Sequence, residues 1–258
     1  MGFSGRLPLL VVFPHSLVGN LYMQNYRIND IRNTLRERSL LYPLDVALIG
    51  ATGVGKSSTI NGLFGSEVAK VGSGVDPETM HVTQYAVNDV FRLHDTAGLG
   101  DGLAADKIHA KNLTQLLLQT CKSEDIHQKE YGFIDLALVI LDGSHRDLGT
   151  TYKILEQVVL ECIEPDRVII AINQADMAMK RRGWNSYINQ PEAELLQFLE
   201  EKSVSVQQRI KEATGISVKK PTYYSAYYGY NLDKMLDHII SSIPRERRIM
   251  DNSRSYSF

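Results

Sequence analysis

The chain has 258 residues, and its 28 Lys and Arg against 30 Asp and Glu give a formal net charge of -2. Hydrophobic residues make up 43% and charged residues 22%, which fits a globular domain and excludes a disordered, collagenous or coiled-coil chain. A net charge this small argues against a protein that coats nucleic acid by bulk attraction. Two cysteines are too few for a disulfide framework, so we expect a reducing, cytoplasmic compartment.

The N-terminal region shows no membrane span and no targeting signal. Its longest apolar run covers residues 8–13, far short of the about 20 residues that a spanning helix needs. Only Arg6 precedes this run, and no small-residue cleavage site follows closely, unlike a secretory signal. We therefore expect no transmembrane segment here.

Residues 1–43 are predicted to form an N-terminal appendage that is partly helical. Apolar residues such as Ile31 and Leu35 recur at helix spacing over about residues 22–41. Pro43 should end this helix, because its ring cannot continue the hydrogen-bond ladder. The arginines on the polar side would suit a membrane or RNA contact, but packing against the domain is the simpler interpretation.

From residue 44 onward, apolar strands alternate with helices. The sequence pattern predicts strands at 44–49, 82–87, 90–93, 133–141, 168–172 and 221–225, and helices at 56–63, 108–128, 155–162, 191–213 and 231–243. The pair Asn88-Asp89 is typical of a tight hairpin, so the second and third strands should be antiparallel. This alternation predicts an α/β domain over residues 44–243, with a doubly wound, mostly parallel sheet, one antiparallel edge strand and flanking helices. Residues 244–258 form a basic C-terminal tail that we expect to be frayed.

A phosphate-binding loop is the clearest motif, because residues 50–57 match G-x-x-x-x-G-K-[ST] between a predicted strand and a predicted helix. Glycines let the backbone N–H groups turn inward, and the helix N-terminus adds partial positive charge. Lys56 would reach the β- and γ-phosphates, and Ser57 would offer its hydroxyl to Mg²⁺. The predicted phosphate-binding residues are Gly50, Ala51, Thr52, Gly53, Val54, Gly55, Lys56, Ser57 and Ser58. The alternative is a glycine-rich turn that binds no nucleotide.

From this loop onward the chain resembles the Era-like, translation-factor-related GTPases. Thr79 matches the switch I threonine that caps Mg²⁺ and the γ-phosphate. Residues 95–98 match D-x-x-G, and the resemblance implies that Asp95 holds the metal through water and that the Gly98 N–H senses the γ-phosphate. The similarity is greatest to small GTPases of bacterial prophage and genomic-island regions. The stretch 50–58 is also similar to septins and to immunity-associated and chloroplast-import GTPases.

The same resemblance supplies the base-binding residues. Residues 173–176 resemble the guanine motif N-K-x-D, and residues 225–226 resemble the last base-contacting loop. The implied base-contact residues are Asn173, Gln174, Asp176, Ser225 and Ala226. Asp95, Asn173 and Ser225 each follow an apolar strand, so they should meet at the carboxyl edge of the sheet, where open α/β sheets bind ligands.

Asp176 carries the preference for guanine. Its carboxylate can accept two hydrogen bonds from the N1–H and N2–H₂ of guanine, a donor pair that adenine lacks. Asn173 would brace the loop and contact the other edge of the base. Gln174 replaces the usual lysine and keeps only part of its stem, which predicts weaker guanine binding with the specificity retained. The alternative is an ordinary polar turn between a strand and a helix.

The catalytic water has no evident partner. Many GTPases place glutamine directly after D-x-x-G to orient this water, but here the position holds Leu99. We therefore expect slow hydrolysis, unless Asp101, His81 or a group from a partner takes over. Gly53 stands where potassium-activated relatives carry asparagine, so no potassium site is predicted. The switches are predicted at 72–80 and 97–105.

Another tripeptide spells a kinase motif but lacks its context. His145-Arg146-Asp147 matches the kinase catalytic triplet, whereas Tyr152 stands where a kinase needs asparagine. We interpret it as a strand-to-helix loop near the nucleotide, from which Arg146 could act on the site of a second copy.

These patterns predict a Mg²⁺-dependent GTPase that binds GTP and GDP, turns GTP over slowly and acts as a switch. Lys56, Thr79 and Gly98 are the expected catalytic residues, and Ser57, Thr79 and Asp95 the expected metal ligands. An alternative is a module that forms homodimers across the nucleotide edge with little turnover. A third is an ATP-dependent P-loop enzyme, for which we see no lid or acceptor site. No residue identifies an effector or activator, and none demands the ribosome.

Overall fold

The structure is a computed structural model that describes residues 27–65, 83–98, 100, 102–122, 129–145 and 149–250. In chain order, the strands are β1 (Leu44–Ile49), β2 (Thr83–Asn88), β3 (Phe91–Asp95), β4 (Thr120–Lys122), β5 (Glu130–Gly132), β6 (Leu136–Asp142), β7 (Val168–Asn173), β8 (Trp184–Asn185), β9 (Gln190–Pro191) and β10 (Thr222–Tyr223). The helices are α1 (27–37), α2 (Lys56–Phe64), α3 (Leu103–Leu118), α4 (Gly149–Ile154), α5 (Leu160–Cys162), α6 (Ala193–Thr214) and α7 (Leu232–Ser242).

The predicted α/β sheet is confirmed. Six strands lie in the order β10-β7-β6-β1-β3-β2, and every pairing is parallel except that of β2 with β3 at the edge. The central strands are continuous apolar runs because helices cover both faces of the sheet. Their parallel register brings the carboxyl ends of β1, β3, β6 and β7 to one edge.

Two hydrophobic layers sandwich this sheet. Along β1, Ala47 and Ile49 face a layer that contains α3, α5 and α6, whereas Val46 and Leu48 face α1, α2 and α7. This alternation follows from the two-residue period of a strand. Helix α1 therefore packs against the domain through Ile31 and Leu35, both fully buried.

Several predicted boundaries are corrected. The hairpin between β2 and β3 turns at Asp89 and Val90, one residue later than predicted, because a bulge at 86–88 shifts the register. Helix α1 ends at residue 37, well before Pro43. The helix predicted at 155–162 starts earlier, as α4, and passes through a π-helical turn (Leu155–Val159) into α5.

Two small hairpins replace predicted helical turns. The helix expected to reach residue 128 is wrong at its C-terminus: α3 ends at Leu118, and the chain returns as β4 paired antiparallel with β5. Pro191 was expected to begin α6, but it lies in β9 opposite Trp184, and the helix starts at Ala193. Strands of two or three residues are too short to show a period, so the sequence pattern could not reveal them.

The C-terminal tail is packed as far as Met250, so the expected fraying is wrong there. Ile249 forms a bridge with Tyr131, and the Met250 N–H donates to the Glu130 carbonyl, which adds an extended segment to β5. Arg248 is only 3% exposed, and its guanidinium donates to the carbonyls of Leu117 and Ile134. Arginine hydrogen bonds thus tie the tail to the end of α3.

None of the described helices has the length and apolar character needed to cross a bilayer.

Candidate functional site

The glycine-rich loop between β1 and α2 lies at the carboxyl edge of the sheet, as predicted. Gly55 has a left-handed φ of 88°, and a Cβ there would collide with the Asn173 side chain. Only glycine tolerates both the backbone angle and the close approach. The loop therefore lies tightly against the end of β7 where α2 begins.

Lys56 folds back over this loop. Its side chain is buried, and its Nζ donates to the carbonyls of Gly50 at 3.1 Å and Ala51 at 3.3 Å. The ammonium thus lies at the mouth of the loop against neutral oxygens. A phosphate placed there would offer it a charged acceptor, which binds an ammonium more strongly than a carbonyl does.

Two of the predicted metal ligands touch each other beside the lysine. The Ser57 hydroxyl donates to Asp95 Oδ2 at 3.1 Å. Asp95 is 3% exposed, and its Oδ1 has no hydrogen-bond partner among the described residues. Burial raises the pKa of the Asp95 carboxyl, and the Lys56 ammonium opposes that rise.

This arrangement fits a hard cation. An orphaned carboxylate oxygen in a buried position is unfavourable unless a cation or donor meets it. Carboxylate and hydroxyl oxygens are ligands that Mg²⁺ accepts, usually together with waters and substrate phosphates. Thr79, the third predicted metal ligand, lies outside the described residues.

The D-x-x-G segment is docked on the phosphate loop. A Cβ at Gly98 would lie 2.7 Å from the Thr52 backbone nitrogen, so only glycine permits this contact. Thr96 anchors the segment by donating its hydroxyl to the Leu48 carbonyl at 2.6 Å. Leu99, Asp101 and His81 lie outside the described residues, as does the predicted switch I.

Asn173 joins three loops at the same edge. Its Nδ2 donates to the Val54 carbonyl at 2.9 Å, and its Oδ1 accepts the Ala226 N–H at 3.0 Å. Gln174 adds a second tie to the phosphate loop, since its Nε2 donates to the Gly53 carbonyl at 2.7 Å. The side chains of Asn173 and Gln174, two of the three predicted guanine-motif residues, thus contact the phosphate loop directly.

Asp176 and Ser225 form the base end of the site. The Ser225 hydroxyl donates to Asp176 Oδ1 at 2.5 Å and accepts the Tyr228 N–H at 3.3 Å. Ser225 is fully buried and Asp176 nearly so. The carboxylate is therefore held in one orientation by the loop that follows β10.

The sequence analysis missed the aromatic support of this loop. Tyr224 is fully buried, its hydroxyl lies 2.7 Å from Thr59 Oγ1 on α2, and burial raises the pKa of the tyrosine. Trp184 packs its ring against Tyr228 at 5.1 Å and Tyr230 at 5.5 Å between centroids. The cluster of tyrosines after residue 222 was the available signal, but which rings meet could not be read from it.

Of the triplet at 145–147, the structure describes His145, which follows β6; Asp147 lies outside the described residues. His145 Nδ1 lies 2.6 Å from Asp142 Oδ2, and the Lys202 ammonium contacts the carbonyls of Gly143 and His145. Arg146 lies outside the described residues.

Comparison with known proteins agrees with this geometry. A family model described as 50S ribosome-binding GTPase matches residues 45–174, which is half of the chain. The tRNA modification GTPase MnmE of Sulfurovum sp. is 30% identical over 156 residues, which cover 59% of this chain and 31% of that protein. The MnmE of Xanthomonas oryzae is 35% identical over 115 residues, which cover 44% of this chain and 23% of that protein. The chain thus spans less than a third of the length of these curated relatives.

Among solved structures, Toc33 from Arabidopsis thaliana matches with a TM-score of 0.62 and 14% identity, over 92% of this chain and 96% of that chain. Era bound to MgGDPNP and a 16S ribosomal RNA fragment matches with a TM-score of 0.51 and 16% identity, over 83% and 61%. At such low identity these matches establish the fold alone.

Proposed function

The chain belongs to the 50S ribosome-binding GTPase family, and on that premise we propose that it is a nucleotide-controlled switch whose own residues turn GTP over slowly. As a member of this family it binds GTP and GDP with Mg²⁺ and hydrolyses GTP. The observation that carries the proposal is the Oδ1 of buried Asp95, which has no hydrogen-bond partner in the part of the chain that the structure describes and lies beside Ser57 of the phosphate loop.

In the proposed complex, the backbone N–H groups of residues 50–58 bind the phosphates. Lys56 exchanges its two carbonyl partners for the β- and γ-phosphates, because its ammonium forms stronger hydrogen bonds with charged oxygens. Ser57, Thr79 and Asp95 hold Mg²⁺, which when bound neutralises charge that develops on the phosphates.

The switch itself follows from the docking of the D-x-x-G segment. The Gly98 N–H donates to the γ-phosphate, and the close approach of Gly98 to Thr52 places this N–H beside the phosphate loop. Loss of the γ-phosphate removes this hydrogen bond. The helix that follows, α3, is then free to shift relative to the phosphate loop.

Guanine selectivity is assigned to Asp176. Its carboxylate accepts the N1–H and N2–H₂ of the base, and Ser225 keeps it oriented through the 2.5 Å hydrogen bond. Asn173 keeps the base loops and the phosphate loop at a fixed distance through its contacts with Val54 and Ala226. Gln174 lies along the base with less apolar stem than a lysine provides.

Slow turnover is proposed because Leu99 follows the D-x-x-G motif and cannot hydrogen-bond the attacking water. The missing group then comes from Asp101, from His81, or in trans from an activator or a second copy. A homodimer across the nucleotide edge is the second candidate form of this function. The solvent-facing carboxyl edge of the sheet is where a second copy could reach the γ-phosphate.

Steady-state GTP hydrolysis per molecule, measured over a wide range of protein concentration with ATP as control, tests the proposal. A slow rate independent of concentration supports a switch that awaits an activator. A rate per molecule that rises with concentration supports the homodimer. Fast hydrolysis at the lowest concentration, or equal use of ATP, would contradict the proposal.

Two finer relations belong to the same proposal. The Asn-Gln-x-Asp form of the guanine motif supports a relation to GTPases of bacterial prophage and genomic-island regions, and the family description supports a ribosomal partner. Sedimentation of the chain with purified 50S subunits tests the second, in GDP and in a non-hydrolysable GTP analogue. Binding in neither state would exclude it.

A further inference from the structure

The segment between the guanine motif and α6 has an unusual composition. Residues 177–191 contain three cations and no carboxylate, within a chain whose net charge is -2. The same fifteen positions hold aromatic and carboxamide side chains. The flanking acids are Asp176, which is buried, and Glu192 and Glu194, which lie at the N-cap and in the first turn of α6. The charge is thus segregated along the chain rather than mixed, which marks this segment as locally positive.

The cations stand on a strained turn. Met179, Lys180 and Arg181 have consecutive left-handed φ angles of 53°, 57° and 67°, which L-residues adopt at an energetic cost. The turn is closed by the Arg182 N–H, which donates to the Met179 carbonyl at 3.3 Å. All three cationic side chains are exposed. The fold therefore holds three adjacent positive charges toward solvent.

Two aromatic rings stand out on the same region. Tyr187 is 98% exposed at the tip of the β8–β9 hairpin, where its N–H donates to Asn185 Oδ1 at 3.1 Å. Tyr227 is 82% exposed, and its ring meets Tyr228 edge-on at 4.8 Å. Tyr228 in turn lies against Trp184, the root of the hairpin. Tyr227 thus stands on a packed aromatic base, and both exposed rings present faces on which a planar ligand could stack.

We propose that this surface, formed by Lys180, Arg181, Arg182, Tyr187 and Tyr227, binds a single-stranded nucleic acid. The cations meet backbone phosphates, and the tyrosine rings stack on bases, which is the combination that single strands require. A duplex keeps its bases stacked on one another, so its bases cannot reach these rings. The surface lies outside the phosphate and metal positions, and the proposal does not depend on GTP hydrolysis.

A labelled RNA of about 12 nucleotides, with DNA of the same sequence and the matching RNA duplex, is titrated with the full chain by fluorescence anisotropy. The triple substitution Lys180→Gln, Arg181→Gln and Arg182→Gln is compared with Lys107→Gln, Lys111→Gln and Lys211→Gln, which removes the same charge from exposed helix positions. We expect the first set to weaken single-strand binding at least about tenfold and the control set to change it little. Three phosphate contacts predict a slope of log affinity against log salt of about -2, which the first set should lose.

Substitutions of Tyr187 distinguish the contribution of ring stacking to binding from that of the cations. Tyr187→Ala should weaken binding about tenfold, whereas Tyr187→Phe keeps the ring and should bind as the wild type does. Trp184 is the single tryptophan, so a change in its fluorescence on titration reports contact at this surface. GDP affinity, measured in parallel, confirms that each variant is folded and is expected to be unchanged.

The single-stranded ligand could be RNA or DNA, and the titration distinguishes them. Tighter binding of RNA identifies RNA as the ligand, and equal binding assigns recognition to phosphates and bases alone; both support the proposal. It is overturned if the wild type does not bind below about 100 µM, if the duplex binds as well as the single strand, or if both triple sets weaken binding equally. It is also overturned if the first set abolishes only self-association in sedimentation, which would make this surface a protein interface.

Discussion

The two ends of the central sheet both hold buried ionisable side chains. The two ends differ in whether these side chains find charged hydrogen-bond partners within the fold. At the carboxyl end, one oxygen of Asp95 has no hydrogen-bond partner among the described residues, and Lys56 donates to the carbonyls of Gly50 and Ala51. At the amino end, Asp45 accepts two hydrogen bonds of 2.7 Å from Arg92, and its Oδ1 also lies 2.7 Å from His94 Nε2. The first end is built to gain a ligand, whereas the second is complete without one.

The amino end extends this pattern to the tail. Asp135 Oδ2 accepts the Asp45 N–H at 2.9 Å, and Arg167 donates to the carbonyls of Asp135 and Glu246. Arg248 reaches the carbonyls of Leu117 and Ile134 nearby. Buried charge therefore does not by itself mark a functional site. At the carboxyl end, the carboxylate oxygen without a partner among the described residues belongs to Asp95, which interacts with Ser57 and Lys56 of the phosphate loop.

The largest effect is expected from a substitution at the carboxyl end of the sheet. Lys56→Ala should weaken GTP and GDP binding by about 100-fold or more, because a charged hydrogen-bond donor to the phosphates is lost. Titration with a fluorescent GDP analogue measures this loss, and Lys107→Ala, on the exposed side of α3, is the matched control. Retained tight binding in Lys56→Ala would contradict the phosphate-loop assignment.

The corresponding experiment at the amino end removes a buried arginine and measures stability. Arg248→Met should lower the free energy of unfolding by about 3 kcal/mol, since two buried carbonyls lose their charged donor. Urea unfolding checks this, with the exposed Arg245→Met as control, which should change stability by less than about 0.5 kcal/mol. Nucleotide affinity of the folded Arg248→Met protein should be unchanged; a loss of affinity equal to that in Lys56→Ala would show that the two ends are not independent.

A third substitution tests the predicted base contact. Asp176→Asn should shift preference from guanine to xanthine nucleotides by about 100-fold, because the carboxamide N–H₂ can donate to the C2 carbonyl of xanthine, which stands where guanine carries its N2–H₂ donor. Competition between GDP and XDP measures the ratio. Asp166→Asn, on the exposed loop before β7, should leave guanine preference intact. An unchanged preference in Asp176→Asn would mean that this carboxylate does not contact the base.

The smallest effect concerns pH at the amino end. Burial raises the pKa of the Asp135 carboxyl from its ordinary 3.8 to about 7. The hydrogen bond from the Asp45 N–H opposes this rise, the Asp45 carboxylate charge adds to it, and Arg167 and Arg248 oppose it. The folded chain thus holds a proton that the unfolded chain releases, so the contribution of Asp135 to stability falls as pH rises from about 4 to about 7.

Asp135→Asn should remove this slope, since an asparagine oxygen can still accept the Asp45 N–H. The difference in unfolding free energy between variant and wild type, measured in urea at pH 5 and pH 8, should therefore favour the variant more at pH 8. His238, whose pKa burial lowers to about 4, titrates with the opposite sign and cancels in this difference. An equal difference at both pH values would contradict the assigned pKa.

The sequence alone determined the class of fold and the order of the motifs, and it predicted the residues of the phosphate and guanine loops. Each of those features is local: an apolar run, a glycine turn and a helix start lie within about fifteen neighbouring residues, and parallel strands bring their carboxyl ends together without further information. The position of Lys56, Asn173 and Asp176 at one edge could therefore be predicted before the geometry was known.

Only the tertiary structure showed which distant residues form polar contacts with each other. Arg248 lies 131 residues from Leu117, and no periodicity in either segment indicates that one donates to the other. The short hairpins β4–β5 and β8–β9 likewise depend on what packs beside them rather than on their own two- or three-residue patterns. Hydrophobic period is encoded along the chain, whereas the partner of a buried charge is fixed only when distant segments meet, because nothing in the local sequence specifies the geometry of that contact.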